Sequence, residues 1–235
     1  AAVRSLGNQK GVSLPPPPAD LEGLPVVEVP TSAHGGDTFA IFVSGDGGWA
    51  GLDKEVAGAI ADAGIPVVGV DSLRYFWTER TPAGFAEDLD RIVRFYAHRW
   101  QRDRIVLIGF SQGADVLPAA INQLPAATRQ QLRMTALLSV GKLADYEFHV
   151  SNWLGSDGDG LPIRPEVERL PAATTLCIYG VDDDDALCPG LSPKTARLIP
   201  LPGDHHFKGD YDALAKVILQ QLQADAPAPR ADGTR

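Results

Sequence analysis

Gly109-Phe110-Ser111-Gln112-Gly113 is the stretch of this chain best equipped for chemistry. A serine hydroxyl is a weak nucleophile until a neighbouring base takes its proton. The apolar run Arg104–Phe110 reads as a buried strand, and Ser111 to about Gln123 reads as a helix. That context gives the spacing its meaning, and the reason is steric. A serine at so tight a strand-to-helix turn has strained dihedrals, so the residues two away on either side must be small. The turn lifts the hydroxyl clear of the sheet, beside a helix N-terminus. Ser111 is therefore the candidate nucleophile.

In the fold that carries such a turn, the acid and then the histidine follow the serine along the chain. Of the five histidines, His34, His98, His149, His205 and His206, only the last two follow the final strand, in Leu201-Pro202-Gly203-Asp204-His205-His206-Phe207. His205 comes first after the glycine turn and is the favoured base, with His206 as the alternate. The acid belongs after the preceding strand, where the chain reads Ile178-Tyr179-Gly180-Val181-Asp182-Asp183-Asp184-Asp185. An acid three residues beyond the strand-end glycine is Asp183, with Asp185 as the main alternative. Adjacent aspartates cannot all serve one imidazole, so the others face solvent or bind something. A calcium-like oxygen cluster is the competing view. No further ligand spacing supports it, so no metal is assigned, and acyl transfer by serine needs no cofactor.

An oxyanion needs donors. The backbone N–H of Gln112 is the first candidate. The second comes from the loop after an early strand, Ser44-Gly45-Asp46-Gly47-Gly48-Trp49, and is assigned to the Asp46 N–H. Without function, that loop is a flexible strand–helix connection. Asp71-Ser72-Leu73-Arg74-Tyr75-Phe76-Trp77 follows another strand. Arg74, Tyr75 and Trp77 are its candidate substrate-binding residues, as a wall for an acyl group and a hold for phosphate. A packed loop is the alternative. Cys177 and Cys188 flank the approach to the aspartates. A disulfide between them would close a short loop, fix the acid segment and imply an oxidising compartment; two free buried thiols are the other reading.

These residues need a scaffold that brings distant loops to one edge. Strand-like runs at Val26–Val29, Thr38–Val43, Ile65–Val70, Arg104–Phe110, Met134–Val140, Thr174–Tyr179 and Ala196–Leu201 alternate with helical patterns. Leu52, Val56, Ala59, Ile60 and Ala63 recur at helical spacing, with Gly64 at the C-cap. Phe85, Leu89, Ile92, Val93, Tyr96 and Trp100 form a second amphipathic series, with Thr81-Pro82 as N-cap and N1. Tyr211–Leu222 closes the pattern. Alternation of this kind predicts an α/β-hydrolase fold, a mostly parallel central sheet with helices on both faces. Ligands in such sheets sit at the carboxyl ends of the strands, which is where every loop above falls. The expected organisation is an extended Pro-rich segment over residues 1–23, the hydrolase domain over 24–222 and a disordered tail over 223–235.

A length of 235 residues suits one domain of this class. The formal charge of −9 argues against nucleic acid as a partner and favours a cationic substrate group. No run of 18 apolar residues spans a membrane. The chain begins Ala1-Ala2-Val3-Arg4 without Met, as a processed or trimmed product does, so a missing leader is uninformative about compartment.

Taken together, the sequence resembles the VirJ family of bacterial virulence proteins and the related AcvB proteins. The resemblance rests on Ser44–Trp49, Leu73–Trp77 with Thr81-Pro82, Gly109–Asp115, Cys177–Gly180 with Cys188-Pro189, and His205–Phe207 with Gly209–Tyr211, and it covers about residues 24–222. It implies a periplasmic α/β-hydrolase-like protein linked to type IV secretion and to hydrolysis of aminoacyl-phosphatidylglycerol, releasing lysine or alanine. By this resemblance Ser111, an aspartate of residues 182–185 and His205 or His206 form the triad. The implied partners are the aminoacylated phospholipid, a transiently contacted membrane surface and secretion-system proteins. Such a lipid carries an α-ammonium beside its scissile ester, which Asp157, Asp159 and the spare aspartates would attract. A general carboxylesterase or thioesterase, and a secretion accessory protein with an idle triad, are the alternative expectations.

Overall fold

The computed structural model describes residues 14–147 and 160–224. Its main sheet contains β1 (Val26–Val29), β2 (Thr38–Val43), β3 (Val67–Val70), β4 (Arg104–Phe110), β5 (Leu132–Leu138), β8 (Thr175–Gly180) and β9 (Arg197–Leu201), in the spatial order β1-β3-β2-β4-β5-β8-β9. All neighbours pair in parallel except β1, which runs antiparallel to β3. The central strands read as continuous apolar runs because both faces are covered: every residue of β2 and β3 is buried.

On one face lie α1 (Leu52–Asp62) and α7 (Tyr211–Ala224), whose Leu52, Val56, Ile60, Leu214, Ile218 and Leu222 pack on Phe42, Val106 and Ile178. The other face is covered by α3 (Pro82–Trp100) and α4 (Gln112–Gln123), through Phe85, Leu89, Ile92, Leu117 and Ile121. The helix ends follow their sequence signals. Thr81 Oγ1 accepts the Gly84 N–H at 3.0 Å and Pro82 stands in the first turn of α3. Gly64 takes the left-handed conformation just beyond α1, with φ of 93°. Short helices α2 (Ser72–Tyr75), α5 (Ala126–Arg129) and α6 (Arg164–Val167), and a small antiparallel pair β6 (Leu143–Ala144) and β7 (Leu161–Pro162), complete the domain.

Several boundaries differ from the sequence reading. Strand β3 starts two residues later than Ile65, after Pro66, which has no N–H to give a ladder. Strand β5 ends at Leu138, because Ser139 turns to a φ of 50° and leaves the pleat. The closing helix continues past Leu222 to Ala224, and the rest of the expected tail lies outside the described residues. The Pro-rich segment, described from Leu14, is docked: Leu14, Leu21 and Leu24 pack on the core, and Arg94 of α3 donates to the Pro16 carbonyl at 2.6 Å.

Candidate active site

The turn between β4 and α4 holds Ser111 at φ 50° and ψ −121°, a conformation that costs a non-glycine residue about 1–3 kcal/mol. Its flanking glycines have no substitute. A Cβ on Gly109 would lie 2.5 Å from the Gly113 backbone, and one on Gly113 would lie 2.1 Å from the Val43 carbonyl oxygen. The serine N–H donates to the Leu138 carbonyl at 3.0 Å, tying the turn to β5.

Ser111 Oγ lies 3.0 Å from His205 Nε2, and His205 Nδ1 lies 3.0 Å from Asp183 Oδ2. The structure thus brings Ser111, His205 and Asp183 into one hydrogen-bonded chain. Asp183 is the inward member of its run, with 6% of its side chain exposed. Its backbone N–H donates to the Gly180 carbonyl at 3.1 Å, while that of Asp182 donates to Gly203 at 2.8 Å, and these bonds set which aspartate points in. Asp182 turns out to Lys208 at 3.1 Å, and Asp184 and Asp185 are exposed. The Asp185 N–H donates to Asp183 Oδ1 at 3.2 Å, so the alternative acid supports the favoured one through its backbone. Asp157 and Asp159 lie outside the described residues.

His205 is held by its own turn. The Asp204 carboxylate accepts the backbone N–H of His206 at 3.0 Å and of Lys208 at 3.3 Å, and these bonds, that of Lys208 first, keep it below its ordinary ionisation range. A Cβ on Gly180 would lie 2.1 Å from the Asp204 carbonyl, so the acid loop and the histidine turn meet without a side chain between them. His206 is exposed at the backbone turn, and its ring stands beside Phe110.

The disulfide Cys177–Cys188 is present and spans the acid segment. Gln112 opens α4, where backbone N–H groups have no partner within the helix. Gly45 presses against the nucleophile: a Cβ added there would lie 3.5 Å from Ser111 Cβ, which brings the Asp46 segment to the same spot. This loop is not the floppy connection its glycines suggest. Ser44 Oγ accepts the Ser72 N–H at 3.0 Å, Ser72 Oγ donates to the Ser44 carbonyl at 2.7 Å, and both side chains are buried. From the other side the buried Asp53 accepts the Ala50 N–H at 3.3 Å, and burial pushes its carboxyl up to about 7.

Of Arg74, Tyr75 and Trp77, the expectation for Tyr75 needs a correction. The segment is not an open loop: Ser72–Tyr75 form α2, capped by Asp71 Oδ1 accepting the Arg74 N–H at 3.1 Å. Tyr75 is 1% exposed; its hydroxyl donates to Asp88 at 2.7 Å and its ring packs with Phe76 and Phe85. It belongs to the core and lines no site, because two large rings in sequence cannot both stay in solvent when an apolar face is within reach. Arg74 and Trp77 are exposed at the rim.

Two residues to which the sequence reading gave no role brace the site. Ser139 is buried, and its hydroxyl donates to the His205 carbonyl at 2.9 Å, locking the histidine turn onto the end of β5. Asp115, in the first turn of α4, accepts the Gly141 N–H at 2.7 Å. Burial, and then the charges of Asp145, Asp46 and Asp183, push its carboxyl up to about 8. Their only sequence signal was position, one at a strand end and one a helical turn beyond the serine. Two hollows of about 320 and 370 Å³ lie at the amino ends of the strands, away from Ser111.

The family model described as bacterial virulence protein (VirJ) matches residues 37–226. Comparison with curated proteins finds no match. Among solved structures, XC6422 from Xanthomonas campestris, titled an α/β serine hydrolase without lid, is 17% identical with a TM-score of 0.56, covering 87% of this chain and 90% of that one. An α/β serine hydrolase homologue from Coxiella burnetii is 17% identical with a TM-score of 0.58, covering 84% and 90%. Est1E from Butyrivibrio proteoclasticus is 17% identical with a TM-score of 0.57, covering 87% and 97%. At such identity these likenesses establish the α/β-hydrolase fold.

Proposed function

The chain belongs to the VirJ family of bacterial virulence proteins, and on that premise we propose that it is a serine esterase acting on aminoacyl-phosphatidylglycerol in the periplasm. The observation that carries the reading is the unbroken relay Asp183–His205–Ser111, with 3.0 Å at each step. The disulfide supports an oxidising compartment, and among the described residues no helix is long and apolar enough to cross a membrane. Asp46 and Asp145 act on the carboxyl of Asp115, one helical turn beyond Ser111, and their charge suits an α-ammonium beside the scissile ester.

In this reaction Ser111 Oγ attacks the aminoacyl carbonyl while His205 Nε2 takes its proton. Asp183 fixes the imidazole tautomer and stabilises the imidazolium. The backbone N–H groups of Gln112 and Asp46 receive the oxyanion. His205 returns the proton to the departing glycerol oxygen, which releases phosphatidylglycerol and leaves the amino acid esterified to Ser111. A water, deprotonated by His205, attacks that ester, and collapse frees the amino acid and restores the serine.

The test is incubation of the protein and of Ser111→Ala with alanyl- and lysyl-phosphatidylglycerol, followed by identification of the released amino acids. Release by the parent alone is expected, as is labelling of the parent alone by a fluorophosphonate. Labelling and turnover of simple esters with intact aminoacyl lipid would remove the substrate assignment and keep the esterase. Failure to label at all would remove both.

A further inference from the structure

Asp53 has no place in the relay, yet it is a buried carboxyl, 3% exposed, in the first turn of α1. An acid there ordinarily serves the helix dipole from solvent, as the exposed Glu55 does. Asp53 instead turns inward, behind the loop that faces Ser111. Its Oδ2 accepts the Ala50 N–H at 3.3 Å, and the Gly45 N–H lies close enough to ease its ionisation. Its Oδ1 is buried and has no hydrogen-bond partner among the described residues. An unpaired buried oxygen costs stability, so support of the helix end alone is a poor reason for a carboxyl at this position.

Other parts of the loop are fixed by other means. Ser44 is bonded to Ser72 on one flank. On the other, the Trp49 indole fills the slot that Gly69 of β3 leaves open, where an added Cβ would come within 2.4 Å of the ring. That indole also meets Phe42 edge-on, with ring centroids 5.8 Å apart. Gly48, at φ 77°, abuts Asp71, whose Oδ1 would lie 3.1 Å from an added Cβ. Between these anchors the Gly48 N–H donates to the Gly45 carbonyl at 3.1 Å and closes a turn. Two groups approach that turn from different elements. Ser111 is one, with its Cβ 3.5 Å from where a Gly45 Cβ would stand, and Asp53 is the other.

We propose that Asp53 is a positioning residue, which grips this loop from behind and aims the Asp46 N–H at the oxyanion formed on Ser111. The catalytic consequence rests on the esterase reading; the grip on the loop does not. Its strength depends on protonation. Burial raises the carboxyl, the Ala50, Gly45 and Asp53 N–H groups hold it down, the charge of Asp71 raises it further, and the balance lies at about 7. Asp46 of the loop and Lys54 and Glu55 of α1 face solvent. In acid the loop is therefore held by a neutral group. As pH passes about 7 a carboxylate forms behind the donors and opposes the negative charge they must receive.

The experiment compares the whole chain with Asp53→Asn and Asp53→Ala on a short water-soluble ester, from about pH 5.5 to about pH 9. Asparagine keeps an acceptor for the Ala50 N–H and carries no charge. At about pH 6 it is expected to match the parent, while alanine lowers kcat about tenfold and leaves KM within about twofold. Toward about pH 9 the parent falls behind Asp53→Asn by about threefold to tenfold. Titration of His205 is common to both and cancels in that ratio. Equal kcat for parent and alanine overturns the proposal, as does a loss expressed in KM, a failure of asparagine to rescue, or a ratio flat with pH. Amide exchange over residues 44–51, measured in a Ser111→Ala background, needs no turnover. Alanine at position 53 is expected to speed it about tenfold and asparagine to leave it unchanged at about pH 6. If the parent neither hydrolyses esters nor labels with a fluorophosphonate, the esterase reading fails, and exchange alone decides the grip: equal rates in both variants overturn it.

Discussion

The nucleophile turn and the aspartate run do their work a few ångströms apart, yet sequence specifies them in opposite ways. At the turn, sterics admit one residue type per position. A Cβ on Gly109 or Gly113 would lie 2.5 Å or 2.1 Å from backbone, so any side chain collides. In the run, four identical side chains occupy consecutive positions, and only backbone direction distinguishes them. The N–H bonds of Asp182 to Gly203 and of Asp183 to Gly180 make that choice. A crowded turn writes its geometry into residue identity; a homopolymeric run hides its geometry in the strand ends around it.

The largest effect expected from this contrast is at the turn. Ser111→Ala should lower kcat by on the order of 10⁴-fold or more with a native fold, measured as ester turnover beside thermal unfolding. In the run, Asp183→Asn should cost on the order of 10³–10⁴-fold in kcat, whereas Asp182→Asn, Asp184→Asn and Asp185→Asn each stay within about threefold. Equal losses across the run would erase the distinction between inward and outward aspartates. Gly109→Ala should destabilise the fold by about 3 kcal/mol or more, read from denaturant midpoints, because its Cβ meets rigid backbone. Ser139→Ala sharpens the contrast further: freeing the His205 carbonyl should lower kcat about tenfold with little change in KM.

The smallest effect is electrostatic. Asp53 and Asp115 have carboxyls raised to about 7 and about 8, from an ordinary 3.8. At these two groups the folded state keeps protons that the unfolded chain has released, so their contribution to stability falls as pH rises from about 4 to about 8. Asp115→Asn, which keeps an acceptor for Gly141, should flatten the upper part of that decline, as seen in melting temperature against pH. An unchanged slope would mean that Asp115 is already ionised.

Much of this architecture was readable from residue spacing. The parallel sheet follows from buried runs alternating with amphipathic series, and the caps Thr81 and Gly64 stand where their chemistry puts them. The residues of the relay were nameable because each follows a strand. What spacing could not reveal was direction. Tyr75 and Trp77 are aromatic neighbours in one segment, yet one is 1% exposed and the other 64%, since α2 rolls the first into the core. The contacts of Ser139 and Asp115 were not legible because their partners lie 66 and 26 residues away along the chain. The β6–β7 pair is two residues long on each strand, below any periodic signal.

The sulfur bridge from Cys177 to Cys188 brackets Asp183 within a short cyclic segment. That links the quality of the relay to redox history. A newly made polypeptide with both thiols reduced has its aspartate on a longer leash, and the imidazole has a less constrained neighbour to lean on. The bridge therefore shortens the stretch of backbone through which Asp183 could drift away from His205.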